Sequence, residues 1–511
     1  MDVGSSSFIK RVFHYRYAIV VLIISNLALR LPVALYTNLG VDEVYYTLYA
    51  RYLDWAYFDH PPMVGWLIWG TTLGGLLRDE FFVRLGALFV GSFNLLIIYH
   101  IGILIKNKTA GIIAALLLSA SFYGSVITGV FILPDTPQSL CWLLAMFFFV
   151  KYIKFQRGSQ LVYFGVAVGL ALLSKYHAVF LWVGAALYIL ARDRSVLRKP
   201  QLYIGLIASV ILLIPVLLWN HQSPYSGIAY HEARVSFGNY IPNFKHFFPE
   251  FFGQIFYNNP FNAALIFMSA VVLIRQKYYK TSRYTCFLLS VSLPLVVVVL
   301  IMAMYHRTLP HWTGPAYFGL ILVTASVFAT VRKTKATFFW RMLIGGQILF
   351  VSVIVIGLLQ IRTGFLPLPI PSEQDRIGKQ DFTLDMALWD EVSSGLTNEI
   401  PKESAVISYQ WFPAAHFDYY FAQPNGSRLY VISDRNRQHQ YLKINELRGP
   451  LPAHSDAYYL CTSRYYEEPS QELIGKFGAV SERKTLKISC GNRVRLQIYV
   501  WKLTDLQEAL P

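Results

Sequence analysis

Residues 62–77, which open Pro62-Met63-Val64-Gly65-Trp66-Leu67-Ile68-Trp69-Gly70 and run on to Leu77, decide how this chain is threaded. Apolar runs of about 20 residues recur from Tyr17 to Ile361 with short polar loops between them, the pattern of a polytopic helical membrane protein. With 62–77 read as a surface or re-entrant helix, which its leading proline suits, the spans are 17–36, 82–105, 109–130, 136–151, 161–174, 177–191, 202–219, 260–274, 284–305, 312–331 and 342–361. The loops then sort by charge. One set holds 20 basic residues, from Lys10, Arg11 and Arg16 through Lys106 and Lys108 to the clusters at 151–157, 192–199, 275–283 and 332–341, against only two acids, Asp2 and Asp193. The opposite set holds eight basic residues against nine acids. Basic residues collect in cytoplasmic loops, so the N-terminus is expected in the cytoplasm and the C-terminal tail outside. Taking 62–77 as a crossing inverts every later loop and exports the basic clusters. The charge pattern rejects it.

Composition agrees. Of 511 residues, 55% are hydrophobic and 14% charged, where a soluble domain carries about 25% charge. Long apolar runs without alternation exclude a β-barrel, and the run at 17–36 is too long for a cleaved leader and reads as a retained helix. The net charge of +16 resides in the inner loops, so it sets orientation and gives no reason to expect a nucleic-acid partner. Cys141 and Cys286 lie in apolar spans; Cys461 and Cys490 lie in the exported tail, where a disulfide is open to them. No spacing of His or Cys points to a metal, and no cofactor is expected.

Three regions follow. Residues 1–361 form the membrane domain, 362–380 a proline-rich linker and 381–511 a small soluble α/β domain. In the last, helices are expected at 383–398, 411–421 and 470–477, and strands at 404–409, 428–432, 456–462, 484–489 and 493–502. The first outer loop, Leu39 to Phe81, is too long for a turn and too apolar for a solvated loop. Residues 44–56 are expected to form an amphipathic helix lying in the membrane interface.

Asp42 and Glu43 open that loop, followed by Tyr45, Tyr46 and then Phe58-Asp59-His60-Pro61-Pro62. An ionised carboxylate costs roughly 2.5–3.5 kcal/mol at the bilayer centre, so an acidic pair beside a span belongs at the water boundary. Every acid of 1–361 except Asp2 and Asp193 falls on the outer side, together with Lys175, His177, His231, Arg234, Arg307 and His311. Opposite charges at one membrane face suit a reaction between a lipid-borne phosphate and an external acceptor. A carboxylate takes the acceptor's proton and cations stabilise the departing phosphate. The alternatives are structural: Asp59 or Asp135 as helix caps, Lys175 as a snorkelling anchor, Arg307 and His311 as interfacial anchors. Arg30 reads as an ion partner for an outer-face acid.

The segment Val41-Asp42-Glu43-Val44-Tyr45-Tyr46, followed by Tyr57-Phe58-Asp59-His60-Pro61-Pro62, resembles the first periplasmic loop of the membrane GT-C glycosyltransferases. The similarity is to the branch of lipid A aminoarabinose transferases and protein O-mannosyltransferases. Pro134-Asp135-Thr136-Pro137, Gly169 to Tyr176, and Pro310-His311-Trp312-Thr313-Gly314-Pro315 are similar to further pieces of it. The resemblance implies a GT-C fold with about 11 transmembrane helices, surface helices in the first outer loop and an outer α/β domain. It implies inverting transfer of one sugar from a polyprenyl-phosphate donor, without a bound metal, to a glycolipid, glycan or protein acceptor. The resemblance makes Asp42 and Glu43 the expected catalytic pair: by motif position Asp42 corresponds to the general base or acceptor-orienting acid, and Glu43 shapes the sugar pocket. Aminoarabinose transferases tend to carry Glu-Lys-Pro-Pro where this chain has Asp59-His60-Pro61-Pro62, which moves the expected phosphate contacts to Lys175 and Arg307. Tyr45, Tyr46, Asp59, His60, Asp135, His177, His231, Arg234 and His311 complete the substrate-binding set.

The expected function is therefore glycosyl transfer to lipid A or another envelope glycan at a bacterial cytoplasmic (inner) membrane, with the C-terminal domain periplasmic. Competing readings are a protein O-mannosyltransferase-like enzyme and a flippase for a lipid-linked sugar. A flippase calls for inverted repeats or charges at mid-membrane, whereas the acids here cluster at one face.

Overall fold

The structure, a computed structural model, describes residues 15–223, 227, 242, 244–276, 282–329, 333–366, 374–491 and 493–510. The membrane part runs α1 (Tyr15–Tyr36), α2 (Val41–Arg51), α3 (Met63–Thr71), α4 (Glu80–Ile105), α5 (Lys108–Ala120), α6 (Asp135–Phe155), α7 (Ser159–Leu172), α8 (Phe180–Arg192), α9 (Pro200–Gln222), α10 (Phe247–Tyr257), α11 (Pro260–Gln276), α12 (Arg283–Met302), α13 (Gly314–Phe328) and α14 (Lys333–Thr363). A helix occupies each of the eleven sequence-predicted spans. Six are long and apolar enough to cross a bilayer (α1, α4, α6, α9, α12 and most of α14), and α10 with α11 adds a pair bent by 98°. The protein is a multi-pass membrane protein.

One span departs from the continuous helix expected. The run at 109–130 stops being α-helical at Ala120; Ser121 turns extended, and a π-helical turn follows at Tyr123–Ile127. Polar side chains meet the groups this frees: Ser121 Oγ accepts from the amide of Gly124 at 3.2 Å, and Ser125 Oγ donates to the Ser119 carbonyl at 2.8 Å. Elsewhere helices meet through small residues. A Cβ on Gly165 of α7 would stand 2.1 Å from the Gly205 carbonyl oxygen of α9, so only glycine allows that crossing.

The C-terminal part is a six-stranded mixed sheet. Its strands are β1 (Ala405–Ser408), β2 (Arg428–Val431), β3 (Ala457–Thr462), β4 (Phe477–Val480), β5 (Lys484–Cys490) and β6 (Arg493–Leu506), ordered β2-β1-β3-β6-β4 with β5 also pairing β6. β1 is parallel to β2 and β3, as crossovers through helices require; the pairs made by β6 are antiparallel. The five predicted strands are present, and β4 is an addition. The helix expected at 383–398 is divided: a 3₁₀ turn ends at Met386, Ala387 is extended, and Leu388, with φ at 69°, precedes the helix Trp389–Thr397. Cys461 and Cys490 are both free.

What positions the site is how this domain seats on the segment between α1 and α4. The apolar face of α2, expected to rest on lipid, is covered by protein instead. Its residues from Glu43 to Tyr49 are all buried, and Val44, Tyr45 and Leu48 share one apolar core with Ala414, Phe417 and Phe421 of the sheet domain. Hydrogen bonds stitch the two parts together. Leu39 N donates to Tyr420 Oη at 2.7 Å, Phe58 N to Gln440 Oε1 at 2.8 Å, Gln440 N to Tyr45 Oη at 3.0 Å and Trp389 N to Asn38 Oδ1 at 3.0 Å. An ion pair joins Lys443 to Asp54. An apolar loop that bonds its polar backbone to a partner domain satisfies the rule that buried amides need acceptors.

Candidate active site

Gly40 precedes α2, which places Asp42 and Glu43 in its first turn, where the helix dipole favours negative charge. Successive helical residues point about 100° apart, and the two carboxylates diverge accordingly. Glu43 turns inward. Its oxygens receive Nε and Nη2 of Arg84 at 2.8 and 2.6 Å, and accept from Gly40 N at 2.9 Å and Ile132 N at 3.2 Å. Arg84 and Glu43 are 0% and 2% exposed, and the same guanidinium donates to the carbonyls of Val33, Thr37 and Asn38. Glu43 therefore clamps α1, α2 and α4 together and does not line the pocket it was expected to shape. Arg84 is the buried partner sought in Arg30, which instead donates to the Asn26 and Gly129 carbonyls and Ser92 Oγ.

Asp42 turns the other way, into a cavity of about 410 Å³. Among the described residues no hydrogen-bond donor or cation pairs with its carboxylate. Enclosure by protein, chiefly, and the neighbouring charge of Asp59 raise its pKa to about 6. Asp59 is held differently: the hydroxyl of Tyr49 bonds to it, that of Tyr45 lies at 3.4 Å and His439 Nδ1 at 3.7 Å. Burial works against its ionisation, but His439, His60 and Tyr49 outweigh that and keep Asp59 well below the usual carboxylate range. Two carboxylates in one cavity thus divide into a permanently charged one and one able to change its protonation near neutral pH.

Lys175 follows α7, where the chain turns extended, and its Nζ meets Asp135 Oδ2 at 2.8 Å; Tyr123 Oη donates to Oδ1 of the same carboxylate at 3.3 Å. Asp135 is the first residue of α6 but not its cap, which is Pro134 with no capping side chain, and its carboxylate also faces the cavity. His177 and His311 line the same region; burial pushes His311 down to about 4, so it is a neutral imidazole at physiological pH. Leu295, Val299 and Met302 of α12, with Phe180, make an apolar wall.

The cavity thus gathers Asp42, Tyr46, Asp59, His60, Asp135, Lys175, His177 and His311. Tyr45 stands behind it, bonded to the sheet domain. Arg307 is corrected: it is exposed and does not line the cavity, because in the irregular segment after α12 it is Thr308 that points inward, bonding Glu250 at 2.7 Å. His231 and Arg234 lie outside the described residues. The apolar wall was not expected, and neither were Trp411 and His439, which the sheet domain contributes to the lining. Nothing local in the sequence marks His439; Trp411 stands in an aromatic Trp-Phe-Pro run that reads as core. Among the described residues no group of three His, Cys, Asp or Glu side chains is arranged to hold a metal ion.

Over 94% of its length the chain superimposes on 97% of ArnT from Cupriavidus metallidurans in the apo state, with a TM-score of 0.64 at 13% sequence identity. The chain has the fold of ArnT. The likeness extends to the crystal structure of the same ArnT bound to undecaprenyl phosphate, with TM-score 0.60, 12% identity and the same coverage of both chains. Residues 59–219 match the family model of dolichyl-phosphate-mannose-protein mannosyltransferase. Lipid A galacturonosyltransferase RgtD of Rhizobium johnstonii is 24% identical over 294 residues, 56% of this chain and 60% of that protein's length.

Proposed function

We propose that this protein is an inverting glycosyltransferase that takes one sugar from a polyprenyl phosphate and passes it to an acceptor on the outer face of a bacterial inner membrane. Lipid A or another envelope glycan is the acceptor class. The observation that carries the reading is Asp42, a carboxylate without a partner among the described residues, in the same cavity as Lys175 and an apolar wall. A general base near pH 7 needs this combination of access and raised pKa. Support comes also from the activities after which the similar proteins are named, a lipid A galacturonosyltransferase and a dolichyl-phosphate-mannose-protein mannosyltransferase family.

In the reaction so read, the lipid chain lies on the apolar wall and Lys175 faces the phosphate. The acceptor hydroxyl oxygen attacks C1 of the sugar from the side opposite the phosphate and its proton passes to Asp42. The bond from C1 to the phosphate oxygen breaks, polyprenyl phosphate leaves with both electrons, and the configuration at C1 inverts. Lys175 and the neutral imidazole of His311 donate hydrogen bonds where negative charge gathers. Both sides of the reaction meet on the outer side, which calls for a cytoplasmic N-terminus and a periplasmic sheet domain.

Mass spectrometry of envelope glycolipids tests it in cells lacking the protein. The expected result is the loss of one sugar residue from an envelope lipid, restored by the wild-type chain and not by Asp42→Asn. Identical spectra in all strains would contradict the reading.

A further inference from the structure

The cavity lining divides by chemistry into three parts. Leu295, Val299 and Met302 suit a lipid chain; Lys175, with the neighbouring His177 and His311, suits a phosphate; and Asp42 marks where bond exchange is proposed. The rest of the polar lining includes Asp59, Trp411 and His439, the last two delivered by the C-terminal domain and clustered with Asp59. With the apolar wall taken by the lipid chain and Lys175 by the phosphate, this cluster is left for the sugar.

The group is built rather than incidental. His439 holds φ at 51° with ψ at −128°, a conformation that costs a non-glycine residue energy and persists only where the surroundings impose it. Here Gln440, the next residue, bonds the outer loop in both directions, through its amide to Tyr45 Oη at 3.0 Å and through its side chain to the Phe58 amide at 2.8 Å. That arrangement sets His439 Nδ1 3.7 Å from Asp59. The Trp411 ring stacks on the imidazole, with centroids 5.2 Å apart and planes 25° apart, and packs on Tyr45 at 4.7 Å. A flat aromatic ring beside a carboxylate and an imidazole is the chemistry that holds a pyranose, whose one face is apolar and whose rim carries hydroxyls.

We propose that Trp411 and His439 of the C-terminal domain form, with Asp59, the sugar-recognition wall of the cavity: Trp411 packs on the sugar ring, and the Asp59–His439 pair hydrogen-bonds its hydroxyls. This rests on the transferase reading and adds to it that the outer domain is part of the donor site and selects the sugar.

The test uses full-length protein in detergent carrying Asp42→Asn, so that no donor is consumed. It is titrated with bare undecaprenyl phosphate and with its galacturonate, mannose and aminoarabinose esters. At least one ester is expected to bind about tenfold or more tightly than the bare lipid phosphate. Adding Trp411→Ala or His439→Ala is expected to erase that preference while leaving the affinity for bare undecaprenyl phosphate unchanged, which doubles as the folding control. Trp411→Phe, keeping an aromatic face, is expected to retain it. A preference that survives both alanine variants, no preference at all, or an equal loss for bare and sugar-bearing lipid would overturn the proposal and leave the transferase reading in place. Failure of every probe to bind, the bare lipid included, would bring down the transferase reading and this proposal with it.

Discussion

Asp42 and Glu43 are neighbours in sequence and opposites in role, and the difference is one of angle. In the folded protein Asp42 binds protons more tightly than in the unfolded chain, so its charge opposes folding above pH 6. Asp42→Asn is therefore expected to abolish transfer yet to melt no lower than wild type at pH 8 in detergent. As a base, Asp42 works only when deprotonated, so the rate should climb with pH through about 6 and then level off; a flat profile from pH 5 to 8 would exclude it. Glu43 belongs to a buried pair, and removing one partner from such a pair costs about 3–5 kcal/mol. Arg84→Ala should lower the melting temperature markedly, while Glu43→Leu combined with Arg84→Met should recover much of it. Thermal melts of the two variants check this, and additive losses would count against it. The acidic pair was visible in the sequence, but the division of labour was not. It depends on the helix starting at Val41 and on Arg84, 41 residues away, reaching Glu43.

The segment between α1 and α4 contributes Asp42 and Asp59 to the candidate site because two short helices pack tightly within it. α3 meets α2 at Gly65, where a Cβ would lie 2.8 Å from that of Tyr49 and 3.1 Å from the Tyr57 hydroxyl. Tyr49 in turn stacks on Tyr57 at 3.7 Å and bonds Asp59. Gly65→Val must push α2 away, so it is expected to reduce transfer severely even though it lies outside the cavity lining; unchanged activity in the transfer assay would show that α2 tolerates displacement. A helix at 62–77 was readable from its leading proline, with loop charge arguing against a full crossing, and a second helix near 44–56 was readable from its amphipathic spacing; the structure has helices at Met63–Thr71 and Val41–Arg51. The burial of α2 was not readable: an aromatic, amphipathic helix has the same pattern whether its apolar face meets lipid or a folded domain. The distinction lies in Tyr420, Gln440 and Trp411, nearly 400 residues later in the chain.

At the scale of the whole molecule, apolar length and loop charge carried most of the architecture, because a bilayer permits few solutions to an alternating pattern of apolar runs and basic clusters. Strands β1 to β3 were legible for a similar reason, a burial pattern tied to local sequence. The composite cavity was less so. Lys175, Asp135 and His311 announced themselves as polar residues beside membrane spans, but Arg307 did as well and faces away, while Trp411 and His439 gave no signal. A site made by two parts of a chain is defined by their docking. The claim at the centre is that this docked assembly transfers a sugar without needing a membrane to move it across. Purified protein in detergent, given undecaprenyl-phosphate sugars and lipid A, tests that most directly. The expected result is a lipid A product heavier by one sugar residue with wild-type protein and none with Asp42→Asn. No product with any sugar, or equal product from both proteins, would contradict it.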